Sequence, residues 1–426
     1  MVDPERGEKA FLVIDLKSFY ASVECVDRGL DPMTTNLVVA DPERSEGTIC
    51  LAVTPAMKAL GVPGRCRLFE IPRNIKYIVA PPRMKRYVDV SAEIYGIYLD
   101  YVSKDDVHVY SIDEAFIDVT PYLNLYNMTA GDLAKSIMDS IFTKTGIRAT
   151  CGVGTNLYLA KIALDIMAKK APDFIYFLDE KSYIKNLWEH RPLTDFWRIG
   201  RGTAKRLEKY GIYTMRGIAE ADEDLIYKNF GIDGELLIDH AWGRETVTMK
   251  DIKSYKPESK SISSGQVLTR DYRWDEGRII VCEMVEGLCL ELLNKNLVAL
   301  SISVSIGYNK KFCEDWSGGS ANLPFPTNVY SVIKKEALEV YEKIVKKNCP
   351  IKRLNIFCNR IEAEETVQCS MFEHDTETEE NRSVQKTVAM IKNKYGKNSI
   401  LRGQDYEECA TARERNLQIG GHKSGE

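Results

Sequence analysis

Two adjacent carboxylates interrupt a stretch that otherwise has the pattern of β-structure. Apolar residues occupy alternate positions on both sides of Asp113 and Glu114, within 107–109 and 117–119, as in a half-buried strand. Neighbouring side chains of a straight strand point to opposite faces, so both carboxylates can converge only where the backbone turns or bulges. Because unpartnered charge at the tip of an apolar hairpin is costly, the stretch predicts either a bound cation or a solvated turn.

A third carboxylate favours the cation. Residues 10–14 form an apolar run that ends in Asp15, and residues 17–24 have helical spacing, with Ser18 able to cap the helix. Three carboxylates carried by two strands suit hard cations such as Mg²⁺, which prefer oxygen ligands and leave positions open for phosphate. The pattern therefore predicts a two-metal phosphoryl-transfer site.

Two segments of the sequence resemble the palm motifs of Y-family translesion DNA polymerases. They are residues 15–24, Asp-Leu-Lys-Ser-Phe-Tyr-Ala-Ser-Val-Glu, and residues 110–116, Tyr-Ser-Ile-Asp-Glu-Ala-Phe. Their details are similar to the bacterial UmuC-like branch, the polymerase V type, and the resemblance extends over roughly residues 10–372. It implies a template-directed DNA polymerase that transfers a nucleotide from dNTP to a primer 3′-hydroxyl, without proofreading, in DNA damage tolerance.

The resemblance also implies a set of catalytic and metal-binding residues. Two Mg²⁺ ions, for which Mn²⁺ can substitute, would be held by the Asp15, Asp113 and Glu114 carboxylates and by the main-chain carbonyl of Leu16. The three carboxylates are the implied catalytic residues. A palm-type nucleotide cyclase or nuclease can share these carboxylates, and a non-catalytic DNA scaffold can share the fold, so both remain open as alternatives.

Five side chains are implied to contact the incoming nucleotide: Ser18, Phe19, Tyr20, Lys58 and Lys161. The Tyr20 ring would lie under C2′ of the sugar and exclude a ribose 2′-hydroxyl, although an ordinary core tyrosine remains open. Lys58 would contact the triphosphate, with a solvated helix lysine as its alternative. Lys161, on a helix after a Gly-x-Gly turn, would reach back to the triphosphate. Pro55 stands where many relatives carry a hydroxyl or amide side chain.

The implied fold is α+β and multidomain, in the shape of a right hand. We expect a palm (1–20 and 76–175), small fingers (21–75), a helical thumb (176–245), a linker (246–257), a little finger (258–362) and a tail (363–426). In the thumb, residues 193–217 resemble a helix-hairpin-helix, in which Gly200, Gly202 and Lys205 would bind a DNA phosphate. The order of elements in the little finger predicts a ferredoxin-like β-α-β-β-α-β pattern, with strand lysines and arginines on DNA.

Composition limits the class of protein and its location. The 426 residues carry a net charge of −4, but residues 246–360 carry +5 and residues 361–426 carry −4, by count from the sequence. Because the N-terminus is charged, we expect no signal peptide, no membrane partner and a cytoplasmic location. Eleven cysteines without a Cys-x-x-Cys pair argue against a zinc site or a disulfide framework.

One short segment predicts a partner protein. Gln368, Met371 and Phe372 lie in an acidic stretch and resemble the motif by which bacterial polymerases bind the sliding clamp. An amphipathic turn packed on the little finger is the alternative. The other partners implied are primer-template DNA, dNTP, and accessory subunits or a recombinase filament.

Overall fold

The computed structural model describes residues 9–44, 47–257, 260–364 and 376–425. The chain divides into two compact units. One is Met1–Tyr255 with Gly425–Glu426, and the other is Lys256–Ser424.

The first unit is built from short strands and helices that alternate along the chain. Its strands are β1 (Phe11–Leu16), β2 (Leu37–Val39), β3 (Ala52–Val53), β4 (Ile78–Ala80), β5 (Val107–Val109), β6 (Glu114–Asp118), β7 (Ala149–Gly154) and β8 (Ile175–Leu178). Its α-helices are α1 (Phe19–Val26), α2 (Pro55–Ala59), α3 (Met84–Leu99), α4 (Thr120–Tyr126), α5 (Ala130–Thr145), α6 (Leu157–Ile162), α7 (Glu180–Leu187), α8 (Arg201–Glu208), α9 (Met215–Ala219), α10 (Glu223–Phe230), α11 (Asp233–Ala241) and α12 (Met249–Ser254).

A five-stranded sheet in the order β5-β6-β1-β7-β8 is the centre of the first unit. β1 pairs antiparallel with both β6 and β7, in a register that sets Asp15 opposite Glu114. Five of the six β1 residues are buried and Asp15 is half-buried, which explains the unbroken apolar run in the sequence. The register brings the predicted carboxylates to the same end of the sheet.

Two glycines let a helix approach this sheet closely. A Cβ at Gly152 would lie 2.1 Å from the Ala160 carbonyl oxygen and 2.3 Å from the Leu164 amide nitrogen, and one at Gly154 would lie 2.2 Å from the Ala160 nitrogen. α6 runs directly into a π-helical turn, Ala163–Met167. The sequence signal read as a Gly-x-Gly turn is thus a packing contact between β7 and α6.

The remaining parts of the first unit are a small sheet and a helical region. β3-β2-β4 form the small sheet, whose core includes Val38, Val53 and Met57 of α2. The predicted helix-hairpin-helix differs from expectation, because its first helix is a single 3₁₀ turn, Leu193–Asp195, before α8. The predicted linker 246–257 contains α12, whose Met249 is buried against β1 and α6 residues, so that segment is only partly a linker.

The second unit confirms the ferredoxin-like pattern. Its elements are β9 (Ser261–Tyr272), α13 (Trp274–Asn294), β10 (Leu297–Tyr308), β11 (Ser317–Thr327), α14 (Tyr330–Ile344), β12 (Ile351–Asn359), β13 (Glu362–Ala363), α15 (Thr376–Tyr395), α16 (Ala412–Asn416), β14 (Gln418–Ile419) and β15 (His422–Lys423). The sheet order is β11-β10-β12-β9. The third strand was expected near 313–318, but β11 begins at Ser317 and runs through two glycines and two prolines, which an edge strand tolerates.

One face of this sheet is open, and we call it the open face. Strand register and burial assign to it fifteen residues: Ser261, Ser263, Gly265 and Val267 of β9; Arg353, Asn355, Phe357 and Asn359 of β12; Ser301, Ser303, Ser305 and Gly307 of β10; and Gly318, Ser320 and Asn322 of β11. Hydroxyl and amide groups dominate, and Arg353 is the one charged residue in this set. The strand lysines and arginines that we expected on this face are therefore, apart from Arg353, not among the residues assigned to it.

The described part of the tail from α15 onwards packs on the other elements of the second unit. The α15 side chain of Gln385 accepts a hydrogen bond from the Tyr330 amide and donates one to the Asn328 carbonyl, at 2.9 and 2.8 Å. The buried carboxylate of Glu286 on α13 pairs with Lys392 and Arg402, at 3.2 and 3.1 Å. The acidic sequence of the tail did not indicate these contacts.

The cysteines follow the prediction with one exception. The free cysteines among the described residues are all buried, as small apolar side chains would be. Cys313 and Cys349 form a disulfide, which the sequence argument against disulfides did not anticipate. In the part of the chain that the structure covers, every helix is too short or too polar to cross a bilayer.

The close approach of α6 to β7 generates a stability test. Gly152→Ala should lower the free energy of unfolding by about 3 kcal/mol or more, because its Cβ would overlap helix backbone that cannot move without displacing the helix. Gly287→Ala is the matched control: Gly287 is exposed on α13 with nothing within 4 Å of its Cβ, so this change should be neutral or stabilise by roughly 0.5–1 kcal/mol. Urea unfolding measures both, and equal effects would contradict the packing argument.

Candidate metal and nucleotide site

The three predicted carboxylates are brought together by strand pairing and a tight turn. Asp15 is the fifth residue of β1 and Glu114 is the first of β6, and the two are register partners. The Leu16 amide donates to the Asp113 carbonyl oxygen at 2.8 Å, and the Ser111 hydroxyl donates to Asp113 Oδ1 at 2.7 Å. The turn before β6 thus gives Asp113 and Glu114 the convergence that a straight strand would deny them.

Burial makes two of these carboxylates, Asp15 and Glu114, easier to protonate than usual. Burial raises the pKa of Asp15 to about 6, Lys169 opposes this shift, and the charges of Asp113 and Glu114 add to it. Burial also raises the pKa of Glu114, while Lys161 opposes that shift. The protein folds with crowded negative charge at this point, as expected for a site that binds cations.

Two lysines and one further carboxylate connect the outer members of the cluster. Lys161 Nζ lies 2.7 and 2.8 Å from the two Glu114 carboxylate oxygens and 3.0 Å from Asp165 Oδ2. Lys169 Nζ lies 2.9 Å from Asp165 Oδ1 and 3.8 Å from Asp15 Oδ2. We call this alternation of charge, Glu114-Lys161-Asp165-Lys169-Asp15, the charge ladder.

The ladder changes the expected role of Lys161. The sequence predicts that this lysine reaches the triphosphate. In the structure Lys161 is only 5% exposed, and its ammonium pairs with the carboxylates of Glu114 and Asp165. Lys169 has a side chain that is 44% exposed. Lys169 is therefore the better placed cation for a phosphate, and the sequence analysis missed both it and Asp165.

The chemical nature of these oxygen donors suits a divalent cation, although two of the carboxylates are paired with lysines of the charge ladder. Carboxylates and a main-chain carbonyl are the oxygen ligands that Mg²⁺ prefers. Among the residues that the structure describes, no three acidic, histidine or cysteine side chains are grouped closely enough to hold a metal as they stand. Glu114 and Asp15 face ammonium groups instead, so cation binding requires small rotations of these side chains.

The start of α1 provides groups suited to phosphate. Ser18 precedes α1 in a left-handed conformation, with φ 49° and ψ 46°, which is uncommon for a residue other than glycine. Its hydroxyl oxygen is buried without a hydrogen-bond partner among the described residues. The first amides of a helix have no partner within the helix and attract anions. Ser18, Phe19 and Tyr20 lie at this helix start, with the Phe19 ring buried in the core, and their contact with a nucleotide stays a prediction.

Tyr20 lies over a second aromatic ring that is firmly anchored. The rings of Tyr20 and Tyr87 stack at 4.4 Å between centroids, with 16° between their planes. The Tyr87 hydroxyl donates to the buried Glu24 carboxylate at 2.8 Å, and Arg83 donates to the same oxygen at 2.8 Å. Burial, and then the charge of Asp113, raise the pKa of Tyr20, which agrees with a position beside the carboxylates.

Lys58 of α2 faces the same cluster. Partial burial lowers its pKa, and the nearby charges of Asp15, Lys169 and Asp113 act on it. Pro55 is the first residue of α2, whose cap is the Thr54 hydroxyl, which accepts from the Met57 amide at 3.4 Å. A proline at that position suits a helix start, so Pro55 has a structural role and offers no hydrogen-bonding side chain.

The other predicted contacts have different outcomes. Gly200 directly precedes α8, nothing would obstruct a Cβ at Gly200 or Gly202, and Lys205 is exposed, so this helix start is accessible. Gln368, Met371 and Phe372 lie outside the described residues.

Comparisons with known proteins give the family. The model of the impB/mucB/samB family matches residues 14–165, and that of its C-terminal domain matches residues 259–371. UvrX of Bacillus subtilis (strain 168), which is named for UV-damage repair, is 33% identical over 422 residues, covering 98% of each chain. DNA polymerase IV 2 of the same organism is 31% identical, covering 97% of this chain and 99% of that protein.

A solved structure shares the fold. The Y-family DNA polymerase chimera Dbh-Dpo4(243-245)-Dbh has a TM-score of 0.65 and 22% sequence identity, and the match covers 83% of this chain and 99% of the chimera chain.

The raised pKa of Asp15 generates a stability test. Because its folded pKa, about 6, exceeds the ordinary aspartate pKa of 3.8, the ionised carboxylate destabilises the metal-free protein above pH 6, and this cost disappears as the pH falls towards 4. Asp15→Asn should therefore raise the free energy of unfolding by about 1–3 kcal/mol at pH 7.5 in EDTA, with little effect near pH 4. Urea unfolding at both pH values measures this, and a loss of stability at pH 7.5 would contradict it.

Proposed function

Since the chain belongs to the impB/mucB/samB family of Y-family DNA polymerases, we propose that it is a template-directed DNA polymerase that copies damaged template. The single observation that carries this proposal is that strand pairing places Asp15, Asp113 and Glu114 at the same end of one sheet, next to the start of α1. The relatives carry UV-damage repair and DNA polymerase IV names, so the polymerase V type branch stays a prediction.

The residues of the site divide into metal ligands and nucleotide contacts. Asp15, Asp113, Glu114 and the Leu16 carbonyl would hold two Mg²⁺ ions, or Mn²⁺ in their place. When bound, such ions activate the primer 3′-hydroxyl and stabilise charge on the leaving pyrophosphate. Ser111 orients Asp113 through its hydroxyl.

The nucleotide would lie between α1 and α2. The α1 amides and the Ser18 hydroxyl offer hydrogen bonds to phosphate oxygens, and Lys58 and Lys169 supply positive charge. Lys161 instead holds Glu114 in place. Primer-template DNA would contact the start of α8, through Gly200, Gly202 and Lys205, and the open face.

The domain assignment follows from the same membership. We assign the large sheet to the palm, the small sheet to the fingers, α7–α11 to the thumb and the second unit to the little finger with its tail. Because β4 pairs with β2 in the small sheet, this assignment moves β4 from the predicted palm, 76–175, to the fingers. A cyclase or nuclease that shares the carboxylates would need neither the exposed start of α8 nor a second unit with an open hydroxyl-rich sheet. A non-catalytic scaffold would not need three crowded carboxylates, whose repulsion costs stability.

Several partners and the location belong to this proposal. Gln368, Met371 and Phe372 would bind a sliding clamp and so raise the effective concentration of the enzyme at the primer end. Accessory subunits or a recombinase filament are further proposed partners. We propose a cytoplasmic location without a membrane partner.

Primer extension tests the proposed function. Wild-type protein with Mg²⁺ should extend a primer on undamaged and abasic templates, whereas Asp113→Ala should retain less than a few per cent of that rate, because a metal ligand is lost. Asp100→Asn is the control, since it removes an exposed carboxylate of a surface ion pair. Primer shortening would identify a nuclease, and nucleotide turnover without primer a cyclase. Either outcome, or extension by Asp113→Ala at the wild-type rate, would overturn the proposal.

Tyr20 tests sugar selection. Tyr20→Ala should increase ribonucleotide incorporation by roughly 100-fold or more relative to deoxynucleotide incorporation, because removing a steric clash with the 2′-hydroxyl is worth several kcal/mol. Single-nucleotide kcat/KM for matched ribo- and deoxynucleotides measures the ratio. Tyr20→Phe is the control, as it keeps the ring stacked on Tyr87. Equal effects of Tyr20→Ala on both nucleotides would assign Tyr20 to packing alone.

A further inference from the structure

Asp165 is the central member of the charge ladder and lies outside the predicted metal site. Its two carboxylate oxygens have different partners: Oδ2 is 3.0 Å from Lys161 Nζ, and Oδ1 is 2.9 Å from Lys169 Nζ. Its side chain is 23% exposed. Each lysine in turn faces a different predicted metal ligand, Glu114 at 2.7 Å and Asp15 at 3.8 Å. One carboxylate therefore connects both sides of the site.

The backbone around Asp165 is suited to this bridge. Residues 161, 165 and 169 are four apart in the sequence. Because an α-helix has 3.6 residues per turn, side chains spaced by four residues do not line up but move progressively around the helix axis. The π turn Ala163–Met167 contains Asp165 and is wider, which reduces this displacement. It brings both lysines onto the side of the helix that faces β1 and β6. Single π turns inside helices are frequent at functional sites.

The two lysines have unequal freedom. The Lys161 side chain is 7% exposed, and besides Asp165 it has Glu114 as a second partner, at 2.7 Å. The Lys169 side chain is 44% exposed, and its contact with Asp15 is long, at 3.8 Å. Of its ion pairs with Asp165 and Asp15, the one with Asp165 has hydrogen-bond length, at 2.9 Å. The position of the Lys169 ammonium therefore depends chiefly on Asp165.

We propose that Asp165 is a positioning residue that holds the Lys169 ammonium between Asp15 and the place where the nucleotide triphosphate arrives. This inference rests on the proposed function, because it takes the triphosphate as the ligand. With its ammonium held by Asp165, Lys169 stays beside Asp15 without closing onto it, so Asp15 remains available to a cation. Without the Asp165 charge, the Lys169 ammonium pairs directly with the Asp15 carboxylate. It then competes with the cation for Asp15 and no longer contacts the phosphates of the nucleotide.

A double-mutant cycle tests this coupling. The ligand is the correct dNTP, and the protein is the full chain bound to a primer that ends in a dideoxynucleotide, so binding is measured without chemistry. Asp165→Asn and Lys169→Ala should each weaken dNTP binding by roughly 10- to 50-fold, the range expected when one charge-assisted hydrogen bond is lost. The double variant should be no weaker than Lys169→Ala alone, because Asp165 acts through Lys169.

Kinetics and cation binding separate positioning from a structural role. Asp165→Asn should raise KM for dNTP about as much as it weakens binding, with kcat lowered less than threefold, and Asp165→Glu should restore most of the loss. Asp165→Asn should also raise the Mn²⁺ concentration at which the protein is half-saturated in the absence of nucleotide, as measured by electron paramagnetic resonance. The control is Glu291→Gln on α13, which removes the ion-pair partner of Lys295, four residues further along the chain. It should change none of these values.

The outcomes are distinguishable from those for the proposed function. If the double variant loses the product of the two single effects, Asp165 acts independently of Lys169 and the inference is overturned. A fall in kcat with unchanged KM and unchanged Mn²⁺ binding also overturns it, since that result assigns Asp165 to Lys161 and Glu114. Failure of the wild-type protein to extend a primer would instead overturn the proposed function.

Discussion

Electrostatic repulsion among three carboxylates at the end of one sheet is the constraint on which the rest of the first unit depends. Burial raises the pKa of Asp15 to about 6, and the charges of Asp113 and Glu114 add to this shift while Lys169 opposes it. Such a cluster forms only where other interactions fix the backbone. Here β1 is paired on both sides and is buried along most of its length, and its neighbour β7 carries the two glycines that let α6 pack closely on the sheet. The strength of that packing allows the fold to retain charge that would otherwise separate.

The sequence predicted the carboxylates well because their signal is local. Strand alternation, a terminal Asp and an adjacent acidic pair are all read within a few residues, and the pairing of β1 with β6 sets Asp15 opposite Glu114. The role of Lys161 was less accessible, since it depends on which carboxylate lies across a contact 47 residues away in the chain. The spacing Lys161-Asp165-Lys169 was a usable signal. The π turn that aligns those residues has no sequence signature of comparable strength.

The second unit shows the same difference between pattern and context. The β-α-β-β-α-β order followed from hydrophobic periodicity and was confirmed, but β11 was displaced because its glycines and prolines look like a loop. The tail was harder still, because its acidic composition suggests a solvated tether. Its attachment depends on Gln385 meeting the Asn328 carbonyl and on Lys392 and Arg402 meeting the buried Glu286. Contacts between distant polar groups leave no periodicity for a sequence argument to use.

The open face of the second unit has a consequence for how it meets a polyanion. Of the fifteen residues assigned to it, six are serines, three are asparagines and one, Arg353, is charged. Basic surfaces bind nucleic acid largely by releasing condensed counterions, and their affinity falls steeply as salt rises. A surface of hydroxyl and amide groups displaces few ions. Its contacts rest on direct and water-mediated hydrogen bonds, and their contribution to the free energy of association therefore varies little with ionic strength.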